Sequence, residues 1–137
     1  MIEQISDFFS IEMIYLWLNI GVLPFWILLI FFSHTRISSF LVTSIFPHLI
    51  LGGLYIYLVY YFYISGYDFL NNFKLYLGIK HLNNLFSDYP FLLMFWVHFI
   101  AINLFCGCWI VRDSQKLTIS KFFIFLPLIV TYFVGPL

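Results

Sequence analysis

Charged residues are scarce in this sequence. Of its 137 residues, only 9% are Asp, Glu, Lys or Arg, whereas 64% are hydrophobic. A soluble domain usually has about 25% charged residues and about 45–50% apolar ones. A soluble fold of this length cannot hide so much apolar surface, because a small domain leaves a large share of its chain facing water. The composition therefore argues against an ordinary soluble domain and favours an integral membrane protein, for which the lipid bilayer is the apolar solvent.

Other absences narrow the function further. Six basic side chains are balanced by six acidic ones with no basic block, so nucleic-acid binding is not expected. Glu3 and Asp7 precede the first apolar run, where a cleavable signal peptide needs positive charge. The only two cysteines, Cys106 and Cys108, would point about 200° apart on a helix. They are therefore not expected to share a metal or a disulfide, and we expect no cofactor.

What the sequence does contain is long apolar stretches. Four of them, at residues 13–32, 40–64, 90–111 and 119–137, approach the length of about 20 residues that a spanning helix needs. Lipid offers no partner to an unpaired backbone group, so each span is predicted to be helical. The sequence thus predicts an all-α fold, in which residues 1–137 form a single domain of four transmembrane helices. Prolines 24, 47 and 127 fall inside the predicted helices and are expected to kink them.

The longest polar connection, residues 65–89, joins the second and third predicted helices. Phe69, Phe73, Leu77 and Leu82 recur in it at roughly helical spacing, which predicts a short amphipathic helix at the membrane interface. Tyrosines crowd the segment just before it; they are Tyr55, Tyr57, Tyr60, Tyr61 and Tyr63. Such a cluster suits an aromatic belt at the headgroups, or the wall of a site for a flat hydrophobic ligand.

Basic residues favour one side of the predicted bundle. The two short polar turns carry four of them (Arg36, Arg112, Lys116 and Lys121), and the long connection carries two (Lys74 and Lys80). Because cytoplasmic loops are enriched in Lys and Arg, we expect both termini to lie outside.

Polar side chains at membrane depth are the candidates for function, because hydrocarbon penalises them unless they find a partner. They are Asn19, His48, His98 and Asn103. Asn19 is interpreted as an interhelical hydrogen-bonding residue. Each histidine has the same structural interpretation, as an interhelical hydrogen-bonding residue. It also has two chemical alternatives, as a proton relay or as a metal ligand. Metal binding is the weakest alternative, since a site usually takes three or four ligands and only two histidines lie this deep.

The pair Arg112–Asp113 lies at the inner end of the third predicted helix. It also has two interpretations. A basic residue there complements the helix dipole and anchors the helix end at the headgroups. Alternatively, the pair contacts a substrate.

The third predicted helix carries a recognisable motif. Residues 96–105, with the sequence WVHFIAINLF, resemble the signature of the ABA4-like membrane protein family, which reads roughly WVHYLAFDLF. The similarity continues through Gly107, Trp109 and the pair Arg112–Asp113. Weaker matches occur upstream, at residues 23–26 (LPFW) and at Pro47. The resemblance spans nearly the whole chain.

That resemblance implies a four-helix membrane protein of carotenoid or isoprenoid metabolism. It also implies that the host membrane is a bacterial inner membrane or a photosynthetic, plastid-type membrane. In plants the family is linked to the formation of neoxanthin from violaxanthin, so an enzymatic member is expected to be a cofactor-independent carotenoid epoxide isomerase. Such a reaction opens an epoxide and moves a proton, for which a general acid and a base suffice. His98 and Asn103 hold the candidate catalytic positions, although Asn103 stands where the family usually has an aspartate. We expect contacts with the substrate from His48, Trp96, Trp109, Arg112 and Asp113.

A second hypothesis comes from a different class of function. The chain would be a non-catalytic membrane subunit that binds pigment, forms a homo-oligomer or assembles with a membrane protein partner. Asn103 favours this alternative, because an amide does not titrate.

Overall fold

The computed structural model describes residues 10–41 and 43–135 of the chain. Six α-helices and one 3-10 helix follow one another in this part. The α-helices are α1 (Ile11–Phe31), α2 (Arg36–Leu41), α3 (Phe46–Ile64), α4 (Ile79–Phe86), α5 (Tyr89–Lys116) and α6 (Lys121–Phe133). The 3-10 helix, Phe69–Leu77, lies between α3 and α4. The predicted all-α fold is confirmed.

Three stretches are long and apolar enough to cross a membrane: Ile11–Phe31, Arg36–Ile64 and Tyr89–Lys116. The fourth predicted span is represented by α6. With 13 residues, α6 is about 20 Å long, whereas the hydrocarbon core is about 30 Å thick. Residues 136–137, which the prediction included, lie outside the described residues. Three apolar helices of spanning length are therefore established, and a fourth crossing stays a prediction.

Two predicted boundaries were wrong. The third predicted helix was ended at residue 111, but α5 continues to Lys116, so Arg112 and Asp113 lie on its last turns. Polar side chains alone do not stop a helix, and Arg, Gln and Lys are good helix formers. The second predicted helix is divided, because α2 ends at Leu41 and α3 begins at Phe46. Pro47 occupies the first turn of α3, where its missing N–H costs no hydrogen bond, so it starts that helix and does not kink it.

Helix α5 is the centre of the fold. It packs against α1, α3 and α6, and α4 packs against it as well. Each of the four longest helices contributes one leucine with no exposed surface to the core: Leu29, Leu58, Leu104 and Leu128. Many large apolar side chains point outward instead, such as Phe122 at 83% exposure. An apolar exterior of this kind is stable against lipid and unstable against water.

Helices α1 and α5 are in close contact at Gly107. A Cβ atom there would lie 2.9 Å from Cη2 of Trp26 and 3.2 Å from Cδ1 of Leu29. Both of those side chains are buried, so neither can move aside easily. The absence of a side chain at Gly107 lets the Trp26 indole lie directly on the α5 backbone, which is how small residues bring membrane helices together.

The connection between α3 and α5 contains two short elements where one amphipathic helix was predicted. Gly78, with φ of 129°, separates the 3-10 helix from α4. This backbone conformation suits glycine and interrupts a continuous helix. Nearby, burial and the negative charge of Asp88 raise the pKa of Tyr67. Its hydroxyl thus stays protonated and donates to Oδ1 of Asn72 at 2.7 Å, which fixes the start of the connection.

Replacing Gly107 with alanine should destabilise the bundle. The added methyl group meets the buried Trp26 ring, and overpacking of this kind costs about 1–3 kcal/mol. The matched control is Gly21→Ala, because a Cβ at Gly21 meets nothing within 4 Å. We expect Gly107→Ala to lower the unfolding free energy measured by denaturing-detergent titration, and Gly21→Ala to leave it unchanged or slightly raised. Equal stability of the two variants would contradict the close contact.

Candidate functional site

One end of the bundle is held together by side chains of α5. The Arg112 guanidinium donates to the carbonyl of Thr43 at 2.9 Å. The Gln115 amide donates to the carbonyl of Ser33 at 2.6 Å. These contacts place the last turns of α5 beside the turn that follows α1 and the turn that precedes α3. Polar groups that the sequence distributes over 80 residues therefore meet at one end of the molecule.

A cavity of about 550 Å³ lies between the start of α3 and the end of α5. It is called the polar cavity below. Its lining is Thr43, Ser44, Ile45, His48, Phe105, Cys108, Trp109, Arg112, Asp113 and Lys116. It brings together four of the predicted substrate-contacting residues: His48, Trp109, Arg112 and Asp113.

Hydrogen bonds fix some groups of the polar cavity and leave others available. Nε1 of Trp109 donates to Oδ2 of Asp113 at 2.6 Å, which orients the carboxylate. The ring of His48 packs edge-on against Phe105, with 5.8 Å between ring centroids. Its Nε2 is buried and has no hydrogen-bond partner within the described residues. A buried polar atom without a partner is rare in folded proteins, so this nitrogen marks a place where a ligand or a water molecule is expected.

His98 lies on the same face of α5 but not in the polar cavity. It is seven residues before Phe105 and fourteen before Arg112, spacings that return to nearly the same helical direction. Its ring packs against Tyr55 of α3 at 5.8 Å between centroids. Along this face α3 thus runs antiparallel to α5, because Tyr55 contacts His98 and the earlier residue His48 contacts the later residue Phe105. The two histidines lie about 10 Å apart along the helix axis and do not line a common cavity.

Asn103 and Trp96 lie on another side of α5. They line a smaller cavity, of about 180 Å³, together with Asn19, Val22, Trp26, Phe99, Ile100, Tyr132 and Phe133. Nε1 of Trp96 donates to Oδ1 of Asn19 at 3.3 Å, so Asn19 does form an interhelical hydrogen bond. Asn103 is 3% exposed, and its Oδ1 has no partner within the described residues.

The two predicted catalytic residues are therefore not brought together. His98 and Asn103 are five residues apart, which on a helix separates their directions by about 140°. His98 packs against α3, whereas Asn103 lies in the small cavity with residues of α1 and α6. A single acid–base pair made of these two side chains does not fit this arrangement, and the role of each one alone stays a prediction.

An apolar groove of about 840 Å³ lies between α1 and α3. Its lining is Ile14, Trp17, Leu18, Gly21, Val22, Phe25, Pro47, Ile50, Leu51, Gly53, Leu54, Tyr57 and Leu104. None of these described residues is charged. Gly21 and Gly53 leave open space, since a Cβ at either would meet nothing within 4 Å. Of the tyrosine cluster, Tyr57 lines this groove.

Sequence reasoning did not find the apolar groove. Its lining consists of ordinary membrane-helix residues that carry no chemical signal of their own. The one available hint is the position of small residues, because Gly52 and Gly53 interrupt a stretch that is otherwise made of large apolar side chains.

Comparison with known proteins supports the resemblance. A family model described as ABA DEFICIENT 4-like matches residues 13–137. The matched range includes the residues that line the apolar groove and the polar cavity. Neither a curated protein nor a solved structure matches the chain.

The hydrogen bond between Trp96 and Asn19 can be measured by a double-mutant cycle. Trp96→Phe removes the indole N–H but keeps an aromatic ring, and Asn19→Ala removes the acceptor. Interhelical hydrogen bonds in membrane proteins contribute about 0.6 kcal/mol on average and up to about 1.7 kcal/mol. We expect a coupling energy in that range from unfolding titrations of the two single variants and the double variant. Strict additivity would show that the two side chains do not interact.

Proposed function

Because the chain belongs to the ABA4-like family, we propose that it binds a carotenoid or related isoprenoid in the apolar groove between α1 and α3. The observation that carries the proposal is the groove itself, which offers about 840 Å³ of space with an uncharged lining. Ligand sites are typically concave and mostly apolar. A long polyene matches such a lining along its whole contact length, because it has no polar group that needs a partner there.

The dimensions of the groove agree with a partly enclosed chain. Its lining on α1 extends from Ile14 to Phe25 and on α3 from Pro47 to Tyr57, which is about 15–17 Å along either helix. A carotenoid is longer than that. We propose that the groove holds one portion of the molecule and that the remainder lies among lipid chains.

Binding fits the geometry better than catalysis in this groove. Isomerisation of an epoxide requires a general acid and a base within hydrogen-bond reach of the reacting atoms. Tyr57 is the one hydroxyl-bearing side chain among the lining residues, and neither His98 nor Asn103 is among them. The chain would then act as a pigment-binding membrane subunit, alone or in a complex with a partner protein.

A second candidate function is carotenoid isomerisation at His98. The observation in its favour is that this imidazole lies about 7 Å from the middle of α5. It has no hydrogen-bond partner within the described residues. An ionisable group at that depth is a functional candidate by default, because it is costly to keep there. In this case a polyene would lie along the α3–α5 face at Tyr55, and His98 would transfer the proton.

We also propose that α6 forms the fourth crossing and that both termini face outside. Helix α6 packs against α1 and α5, as a member of the bundle does. Arg112 and Gln115 are tied to the turns at the end of α1 and the start of α3, so the more basic turns gather at one end. The positive-inside rule assigns that end to the inner side of the membrane.

Filling the groove should reduce pigment binding. We expect Gly53→Leu to lower the amount of carotenoid that co-purifies by about tenfold, because the leucine occupies ligand space at an overpacking cost of about 1–3 kcal/mol. Gly52→Leu is the matched control, since Gly52 is also exposed and also has nothing within 4 Å but does not line the groove. The protein is expressed in carotenoid-producing bacteria, purified in mild detergent and analysed by chromatography of its bound pigment. Equal pigment content in the two variants would refute binding in the groove.

Expression in bacteria that make both epoxy and non-epoxy carotenoids distinguishes the two proposed functions. If the chain is an isomerase acting through His98, a new isomer accumulates and His98→Ala reduces it by about a hundredfold or more, as expected for loss of a general acid–base group. If the chain is a binding subunit, pigment co-purifies unchanged and His98→Ala has no effect on pigment chemistry. Absence of both bound pigment and new product would rule out both proposals.

A further inference from the structure

We propose that the polar cavity binds the phosphate group of an amphipathic molecule. The phosphate would lie at Arg112 and Lys116, and the apolar part of the ligand would lie along Phe105 and Trp109. This site is separate from the apolar groove, and its existence does not depend on whether the groove holds a carotenoid.

The charges that line the polar cavity favour an anion. Arg112 and Lys116 are four residues apart on α5, so their side chains are neighbours on one helix face. Asp113 is the one acidic side chain in the lining, and its carboxylate already accepts the Trp109 N–H. Two cations and one carboxylate leave a net charge of one positive unit in the lining, with neutral His48.

Both cations keep donors for a ligand. A guanidinium has five N–H donors, and Arg112 donates to the carbonyl of Thr43, which still leaves donors available. Lys116 is exposed and has no hydrogen-bond or ion-pair partner within the described residues. A tetrahedral phosphate accepts several such donors at once, as Arg and Lys sites for phosphate generally exploit.

The polar cavity is also graded in polarity along α5. Phe105 and Trp109 come first, and their rings are in contact at 6.0 Å between centroids. Arg112 and Lys116 follow toward the end of the helix. From Phe105 to Lys116 the rise is about 16 Å, over which the lining changes from aromatic to cationic. A ligand with an apolar chain and a phosphate end has the same order, and the membrane interface is where such molecules lie.

His48 adds a third polar group. It lines the same cavity, and its buried Nε2 lacks a partner within the part of the chain that the structure describes. In the neutral tautomer that carries the ring proton on Nε2, this nitrogen donates to a phosphate oxygen. The available groups thus come from both α3 and α5, which is how a site holds a ligand between two helices.

The test compares two lipids that differ in the phosphate alone. Phosphatidic acid and diacylglycerol with identical short acyl chains are titrated into the full chain in a neutral detergent, and bound lipid is counted by native mass spectrometry. We expect phosphatidic acid to bind at least about fivefold more tightly than diacylglycerol, as follows from the contribution of one basic residue near a membrane surface. Equal affinity for the two lipids would overturn the proposal.

Charge variants test whether the phosphate binds in the polar cavity. Lys116→Gln should weaken binding of phosphatidic acid by about fivefold, whereas Lys121→Gln should leave it unchanged, because Lys121 does not line the cavity. Lys116 is preferred over Arg112 because its side chain is exposed, whereas Arg112 donates to the carbonyl of Thr43. The melting temperature of each variant verifies folding. Equal loss in both variants would indicate general surface charge and would refute a phosphate site in the cavity.

Glycerol phosphate, added as a competitor, identifies the source of the phosphate. If it displaces phosphatidic acid from the wild type but not from Lys116→Gln, the site accepts water-soluble phosphate esters. If it does not displace the lipid, the natural ligand is a membrane lipid headgroup. Either result, combined with the Lys116 dependence, supports the phosphate site.

Discussion

Helix α5 determines the arrangement of everything else, because α1, α3 and α6 all pack against it. One helix with several packed neighbours distributes its side chains among different interfaces. The direction that faces α3 carries His98, Phe105 and Arg112. The direction that faces α1 carries Gly107, whose lack of a side chain admits Trp26. A substitution on α5 therefore affects the interface to which that residue belongs. Polar residues that are close in sequence lie in separate environments.

This separation bears on the choice between an enzyme and a binding protein. The signature on α5 reads as one motif, but its histidine and its asparagine lie on different sides of the helix. Asn103 cannot exchange a proton at any ordinary pH, and its buried Oδ1 lies in a cavity with Asn19 and Trp96. Among the described residues, polar side chains of α5 line the polar cavity and the smaller cavity at Asn103, while the apolar groove has an uncharged lining. Such a division is suited to holding an apolar molecule in one place and a polar end group in another.

The sequence predicted the elements that are marked by a long apolar run. It did not predict the features that depend on how the helices pack against one another. Helix α1 was expected over residues 13–32 and runs over Ile11–Phe31. The end of α5 was missed by five residues, because the hydropathy falls at Arg112 before the backbone changes direction. The residues Trp109, Arg112 and Asp113 recur at helical spacing, so their common face was predictable. The position of His48 beside these residues was not predictable from the sequence, since it depends on how α3 packs against α5. The apolar groove was not predictable from the sequence either, because its lining residues are of the types found in any membrane helix.

The apolar groove lies between two helices whose lining includes exposed side chains, such as Trp17 at 54% and Ile50 at 52%. The proposed ligand would reach it sideways, through the lipid. Occupancy of the groove would then be governed by the mole fraction of that ligand in the membrane and by competition from lipid acyl chains, which are always present in large excess. An aqueous dissociation constant does not describe such a site. Shape has to provide the selectivity, since hydrophobicity does not distinguish a rigid polyene from the flexible chains around it, and a rigid ligand loses less conformational entropy on binding.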